Sequence, residues 1–452
     1  MRATPAASYL FRGRFPWRTN LVLIPGAIVL TALFAFSLTQ AIDYAEFNGS
    51  IRLPHWVNQG GASDCRDLVS ATAGAIITTL GLVLSITVLI FSTAATQFGQ
   101  RLLRRYMRDR GTQVSIGIFA ATFVFSLLTL LSVTSRPDER EFVPWVSAWT
   151  SLILAISCVG ILIYFMHHVA VLIQVNTVLR NIRDDVSRVI DTLRSPRKRP
   201  LSVVAGIPPS HGLALTAPES GYFQRIYHDE LAEAARAANV VIDFLIHPGH
   251  FSLEGSEIAL AKPGPGQSTL TELPPALVSA FNDTVIFGLR RTMRQDPKFA
   301  ILQIVEIGLR AMSPAVNDPF TMITCIDTLT ASLKVFLDAL PLYCVHVDSQ
   351  DVPRIIEPTE TFEKLADAGF APIRQVCCKS VATTYRIFEA IGSLAPFIQS
   401  LGQADNLDRQ ADLTKEGFST EVVSQDAADI QSAYASAKAA LASARQRLAK
   451  SN

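Results

Sequence analysis

The stretch LVSATAGAIITTLGLVLSITVLIFSTAAT, Leu68–Thr96, contains no charged residue and exceeds the roughly 20 residues of helix that cross a bilayer. Taken every seven residues it gives Ala71, Thr78, Ser85 and Ser92, continuing to Gly99; three positions further on lie Gly74, Gly81, Val88 and Ala95. Steps of three and four keep both rows on one face of a helix. That face is small or hydroxylated almost throughout, while Leu80, Leu82, Leu84, Ile86, Leu89 and Ile90 occupy the rest. Small residues let membrane helices approach closely, and hydroxyls can bond across the contact. The same face, with Thr78, Gly81, Ser85 and Ser92 turned to water, would line a pore. The two readings differ in whether water reaches those positions.

Three further runs are long and apolar enough to span: Leu21–Gln40, Val114–Ser135 and Pro144–Val169. The third span repeats the hydroxylated row more weakly, at Ser115, Thr122 and Thr129. The whole chain of 452 residues is 49% hydrophobic and 17% charged, against roughly 25% charged in a soluble domain. Its net charge of +1 gives no general attraction to nucleic acid. No run past Ile173 reaches the length of these four, so the remainder reads as soluble.

Charge in the connections sets the orientation. Arg2, Arg12, Arg14 and Arg18 precede span one, and Arg101, Arg104, Arg105, Arg108 and Arg110 follow span two. Arg180, Arg183, Arg188, Arg194, Arg197, Lys198 and Arg199 follow span four. The other two connections carry Asp43, Glu46, Asp64 and Asp67, then Asp138, Glu139 and Glu141. Positive residues stay inside, which places both termini on the cytoplasmic side. Arg101, Arg104, Arg105 and Arg108 then form a basic cluster at the inner mouth, one that favours anions or low selectivity if the protein conducts. Trp17, Trp56 and Trp145 fall at the interfaces. Span one is too long for a signal-peptide core and reads as a retained anchor.

Span four has no proline through Leu193, and Val171, Val175, Val178, Ile182, Val186, Val189 and Leu193 keep helical spacing, so a stalk is expected to continue it. His167 and His168 read as interfacial side chains. The expected fold is an α-helical membrane protein with four transmembrane helices followed by an α+β cytoplasmic domain. Its parts are a membrane domain over 1–175, a helical stalk and basic linker over 176–200, a small β-rich subdomain over 201–290 and a mainly helical subdomain over 291–452. Within the β-rich part, 221–227, 240–246 and 256–261 read as strands and 229–239 as a helix. His247 and His250 read as turn residues of HPGHF. A strand is expected at 284–289, a helix at 298–312, and short strands at 343–347 and 354–356. Helices at 360–368, 371–400, 407–416 and 424–449 complete the chain.

RAMSPAVNDPFT, Arg310–Thr321, is the most specific segment of the soluble part. Ser313-Pro314 ends one helix, because a residue before proline resists the helical region. Asp318-Pro319 opens the next, with Asp as N-cap and Pro in the first turn. Arg310, Asn317 and Asp318 are expected to hold this corner as a buried network, or else to offer a ligand or ion site at a helix N-terminus.

The segments FSTAATQFGQRLLRRYMRD (91–109), SGYFQRI (220–226) and LRRTMRQDPKFAILQIVEIGLRAMSPAVNDPFTMITCID (289–327), with the four-span layout, resemble a family of bacterial predicted membrane proteins grouped as domain of unknown function 2254. The resemblance covers nearly the whole chain. It departs from the usual pattern at His250, where an acid is commoner, and at Gly99-Gln100, where Ser-Pro is commoner. It implies the architecture and supplies no activity.

The sequence contains no nucleotide-binding glycine motif, H-E-x-x-H pair or nucleophile elbow. The six cysteines show neither zinc-site spacing nor a disulfide framework. No enzyme activity, cofactor or metal is expected. The leading functional reading is a homo-oligomeric channel or transport-like pore for a small ion, with the cytoplasmic part as gate or sensor. The alternative is a membrane-anchored module that binds a cytoplasmic partner, and a membrane enzyme comes third.

Overall fold

The computed structural model describes residues 22–451 except 53, 55, 56, 58, 59, 99–108, 135–140, 194–197, 200–210, 268, 340–344, 359 and 419–421. Two compact units divide at Thr177 and Val178. The first contains α1 (Leu23–Phe47), α2 (Ala62–Phe98), α3 (Arg110–Ser132) and α4 (Trp145–Leu172). Their long uninterrupted apolar runs suit helix, which pairs every backbone polar group within the segment, as a bilayer requires of a single span. α3 is the central helix and packs on the other three. Gly117 allows a close approach to α1: a Cβ there would lie 2.6 Å from the Ile28 side chain and 3.0 Å from the Pro25 backbone.

Span four does not run unbroken into a stalk. α4 stops at Leu172, Ile173 and Gln174 leave the helix, and α5 (Val175–Leu193) begins afresh. Nothing in the local sequence explains the break. α5 does bury Val178, Ile182, Val186 and Val189, joined by Leu179 and Ile190.

The second unit pairs a mixed sheet with a layer of helices. The strands are β1 (Lys198–Arg199), β2 (Leu213–Thr216), β3 (Gly221–Ile226), β4 (Val240–Phe244), β5 (Phe251–Ser252), β6 (Glu257–Pro263), β7 (Val285–Gly288), β8 (Val345–Val347) and β9 (Pro353–Ile356). Six of them form one sheet in the order β1-β8-β9-β4-β6-β2, and the other three form β5-β3-β7. Every pairing is antiparallel except β4 with β9, which are parallel. The large sheet therefore crosses the boundary expected near residue 290, because β8 and β9 return to it from the helical half. α6 (His228–Ala237) and α7 (Pro275–Thr284) cover its core, where Phe223 stacks between Phe287 and Phe244.

α8 (Pro297–Ala311), α9 (Pro319–Ala339), α10 (Phe362–Cys377), α11 (Val381–Leu394), α12 (Leu401–Gly417) and α13 (Ser424–Ser451) build the helical layer. The expected break between 368 and 371 does not occur. α10 passes through Pro372 and ends at Cys377, and α11 begins only after Ser380. Proline removes one backbone bond from a helix, but α10 buries Leu365, Gly369, Phe370, Ile373 and Cys377 on one face, and that packing spans the gap.

By length and composition, five helices among the described residues could cross a membrane: α1 to α4 and also α9. α9 was expected to be soluble. Its apolar face, with Ile326, Leu329, Leu333 and Leu337, is buried inside the second unit, and its other side carries Asp327 paired with Arg386 and Lys334 paired with Asp338.

Candidate functional site

α2 presents two different faces. Thr72, Ala73, Ile76, Val83, Thr87, Ile90 and Ala94 are buried within the first unit. Thr78, Gly81, Ser85 and Ser92, together with Ala71, Gly74 and Val88, are exposed. A Cβ on Gly74 or Gly81 would meet nothing within 4 Å. The small face is thus not used for packing among the four helices of one chain. α3 does that instead, burying Ser115, Thr122, Ser126 and Thr129. The Ser126 hydroxyl lies 2.6 Å from that of Ser151 on α4, and the Cys158 thiol donates to Thr122 Oγ1 over 3.4 Å. Sequence periodicity identified both hydroxylated rows without saying which had a partner.

Two of the hydroxyls on the α2 face are satisfied within their own helix. Thr78 donates to Gly74 O and Ser85 to Gly81 O, each at 2.8 Å. Such bonds let a hydroxyl lie in an apolar contact without an orphan donor. Arg101, Arg104, Arg105 and Arg108, which follow this helix, lie outside the described residues.

Polar groups fix the two ends of the bundle. Asp109 caps α3, accepting from Thr112 N–H at 2.7 Å, and its Oδ2 also lies 2.7 Å from His168 Nε2 on α4. His168 is thus part of the fold, with Tyr164 stacked against its ring. At the other end Asp43, counted as a loop acid in the sequence, is helical and 1% exposed. It accepts from Val146 N–H at 2.9 Å, Ser147 N–H at 3.1 Å and the Ser147 hydroxyl at 2.7 Å. Pro144, the residue before α4, offers no side-chain cap, so Asp43 caps that helix from α1.

The corner between α8 and α9 folds largely as its grammar suggests. Asp318 accepts from Thr321 N–H at 3.1 Å and from the Thr321 hydroxyl at 2.6 Å. These bonds hold its carboxyl below the usual carboxylate range. Asn317 is exposed and has φ +46, a left-handed conformation that asparagine tolerates better than most residues. Arg310 pairs with Glu306 one turn back, at 3.3 Å. The buried Arg310–Asn317–Asp318 network is therefore not formed: Asn317 serves the backbone, and Asp318 serves the cap. Asp318→Ala is expected to cost about 0.5–2 kcal/mol, as for other lost caps, measured as a shift in unfolding of the second unit. Because the folded pKa is depressed, this contribution is present above the ordinary aspartate value of 3.8 and is lost as pH falls through the folded value.

A second polar cluster was missed in the sequence because its members are distant from one another. His247 Nε2 lies 3.1 Å from Glu360 Oε1. Gly249, at φ +107, passes so close to Asp296 that a Cβ there would lie 2.2 Å from its Oδ2. Asp296 is fully buried; it caps α8 through Phe299 N–H at 3.0 Å and accepts from Arg291 at 2.6 and 2.9 Å. Burial pushes its pKa up in spite of Arg291. The HPGHF turn thus joins the sheet to the helical layer. No group of three His, Cys, Asp or Glu side chains among the described residues is arranged to hold a metal ion.

A groove of about 1010 Å³ lies in the second unit between α9, α11 and α13, with Arg183 of α5 in its lining. Arg386 within it is held by Asp327 at 2.5 Å and Glu389 at 2.7 Å.

A family model described as "Predicted membrane protein (DUF2254)" matches residues 18–393. The chain belongs to this family. The match takes in all four helices of the first unit and runs through most of α11, leaving α12 and α13 beyond it. Among curated relatives, the uncharacterized protein Rv1290c of Mycobacterium tuberculosis strain H37Rv and the uncharacterized protein Mb1321c of Mycobacterium bovis are each 34% identical over 297 residues. The match covers 63% of this chain and 54% of each relative, so the chain spans about half the length of the curated relatives it matches. No solved structure matches.

Proposed function

We propose that the protein is a homo-oligomer of the bacterial inner membrane in which copies of α2 meet through the face that carries Thr78, Gly81, Ser85 and Ser92. The observation that carries this is the exposure of that face along the helix while α3 supplies the packing inside each chain. Positions spaced three and four apart favour the shallow left-handed crossing of coiled coils, and small side chains bring the axes close. The seam between copies is the conduction path for a small ion. The second unit is its gate or sensor, with the groove beside Arg183 as the place where a cytoplasmic signal would be read.

Four helices cross in this arrangement, and α9 remains in the core of the second unit. Two features support that: its apolar face already has protein neighbours, and its other face carries paired charges. Both termini are cytoplasmic. Reporter fusions at Ser63 and Asp138 should read outside, and those at Arg108 and Gln267 inside; one reversed reading would break the topology.

Conduction is tested with single cysteines at Thr78, Ser85 and Ser92 in an otherwise cysteine-free protein, treated with a membrane-impermeant thiol reagent in liposomes. Labelling at all three, with a changed ion flux, is expected. Protection at all three would mean a dry seam and would move the function to a membrane-anchored module that binds a cytoplasmic partner. The back-bonded hydroxyls of Thr78 and Ser85 suit that second reading, since neither needs water.

A further inference from the structure

Two histidines hold two glutamates of the second unit, one just after β9 and one just before α10. His228 Nε2, on the first residue of α6, lies 3.1 Å from Glu357 Oε2. His247 Nε2 lies 3.1 Å from Glu360 Oε1. β4 and β9 are parallel with Ile242 opposite Ile355, and the His247–Glu360 contact lies beyond the paired residues of both strands. Both glutamates are buried, so neither can exchange its partner freely for water.

The His247 ring meets an acceptor at each nitrogen. Nδ1 lies 2.9 Å from Pro248 O, and Nε2 lies 3.1 Å from the Glu360 carboxylate. A neutral imidazole has one N–H and can satisfy only one of them; the imidazolium satisfies both. Glu360 Oε2 is buried with no hydrogen-bond partner, so its carboxylate depends on His247 for its direct pairing.

We propose that the His247–Glu360 pair is a proton-operated clasp that locks the sheet to the helical layer when His247 is charged and releases Glu360 when it is not.

The other charges around the ring decide the direction of the response. Asp296, the cap of α8, acts on His247 from the helical layer and is itself held by Arg291. His250 sits with its ring 4.2 Å from that of His247, and Lys298 and Lys364 act on Glu360. Burial opposes charge on His247, but the bonds to Glu360 and Pro248 O and the carboxylates of Glu360 and Asp296 raise its pKa above 6.5. Burial likewise opposes charge on Glu360, but its bond to His247 and the charges of His247, Lys298 and Lys364 hold its pKa below 4.5. Burial pushes the neighbouring His250 down, so it is the less protonated of the two.

The signs follow from linkage. A raised histidine contributes stability that is fully present below 6.5 and is lost as pH rises through the folded value. A depressed glutamate contributes stability that is present above 4.5 and is lost as pH falls through its folded value. The clasp is therefore closed between these limits and opens on the alkaline side, where histidine titrates in the physiological range.

Hydrogen–deuterium exchange of the full-length protein in nanodiscs tests this without reference to conduction. Protection factors, corrected for the intrinsic effect of pH, are compared at about pH 6 and about pH 8.5. In the unaltered protein, protection over residues 245–252 and 360–364 should fall about tenfold at the higher pH, while the buried turns of α9 stay unchanged. His247→Gln should show the low value at both pH values, and His250→Gln should keep the full response. A flat profile in the unaltered protein would overturn the proposal even if a variant failed to fold. A response that survives in His247→Gln would also overturn it, by assigning the titration to another group.

Discussion

Asp43→Ala is expected to destabilise the first unit by about 3 kcal/mol, combining a lost helix cap with a buried donor left without a partner. The carboxylate accepts two N–H groups from the first turn of α4 and the Ser147 hydroxyl. Pro144 offers no side chain to replace it, and Asp43 is 1% exposed. Asp43→Asn keeps one acceptor oxygen, so its loss should be near 1 kcal/mol. Thermal unfolding of purified protein in detergent reads the difference. If the alanine variant melts with the unaltered protein, Asp43 does not hold α1 to α4.

Asp296→Ala is the counterpart in the second unit, with an expected loss of about 3–5 kcal/mol, as when one partner of a buried ion pair is removed. The substitution deletes the cap of α8 at Phe299 and leaves Arg291, half-buried, facing the space where the carboxylate stood. A charge stranded in this way costs more than the pair itself contributes. The double variant Asp296→Ala with Arg291→Met should therefore be more stable than Asp296→Ala alone. Denaturant unfolding of the three proteins separates the effects. Equal or greater loss in the double variant would show that the cap alone accounts for the cost.

Much of this architecture was legible because it rests on local chemistry. Uncharged apolar runs marked α1 to α4, and Asp318-Pro319 marked the start of α9 at its observed residue. The strands around Phe223, Ile242 and Ile258 followed from short apolar runs between turn residues. What escaped were relations between distant residues. Asp43 caps a helix that begins about a hundred positions later, and His247 meets Glu360 from a turn more than a hundred positions earlier in the chain. Neither leaves a local pattern. The break expected between 368 and 371 failed because α10 packs through Gly369 and Pro372 as one helix, and α9 meets the length and composition of a span while one of its faces fills the core of the second unit. On α2 and α3 periodicity revealed two hydroxylated faces, but only the packing distinguished the one used inside the chain from the one left open.

Intermolecular disulfide formation between single cysteines along α2 tests most directly that this open face joins copies of the chain. The protein is first freed of its six native cysteines, then given one at Thr78, Gly81, Ser85 or Ser92, or, as controls, at Leu82, Leu84 or Leu89, which are also exposed. Mild oxidation in native membranes should give a cross-linked dimer at the first four positions and little at the three leucine positions. Cross-linking that is as strong at Leu82, Leu84 and Leu89, or absent from all four positions of the small face, would contradict it.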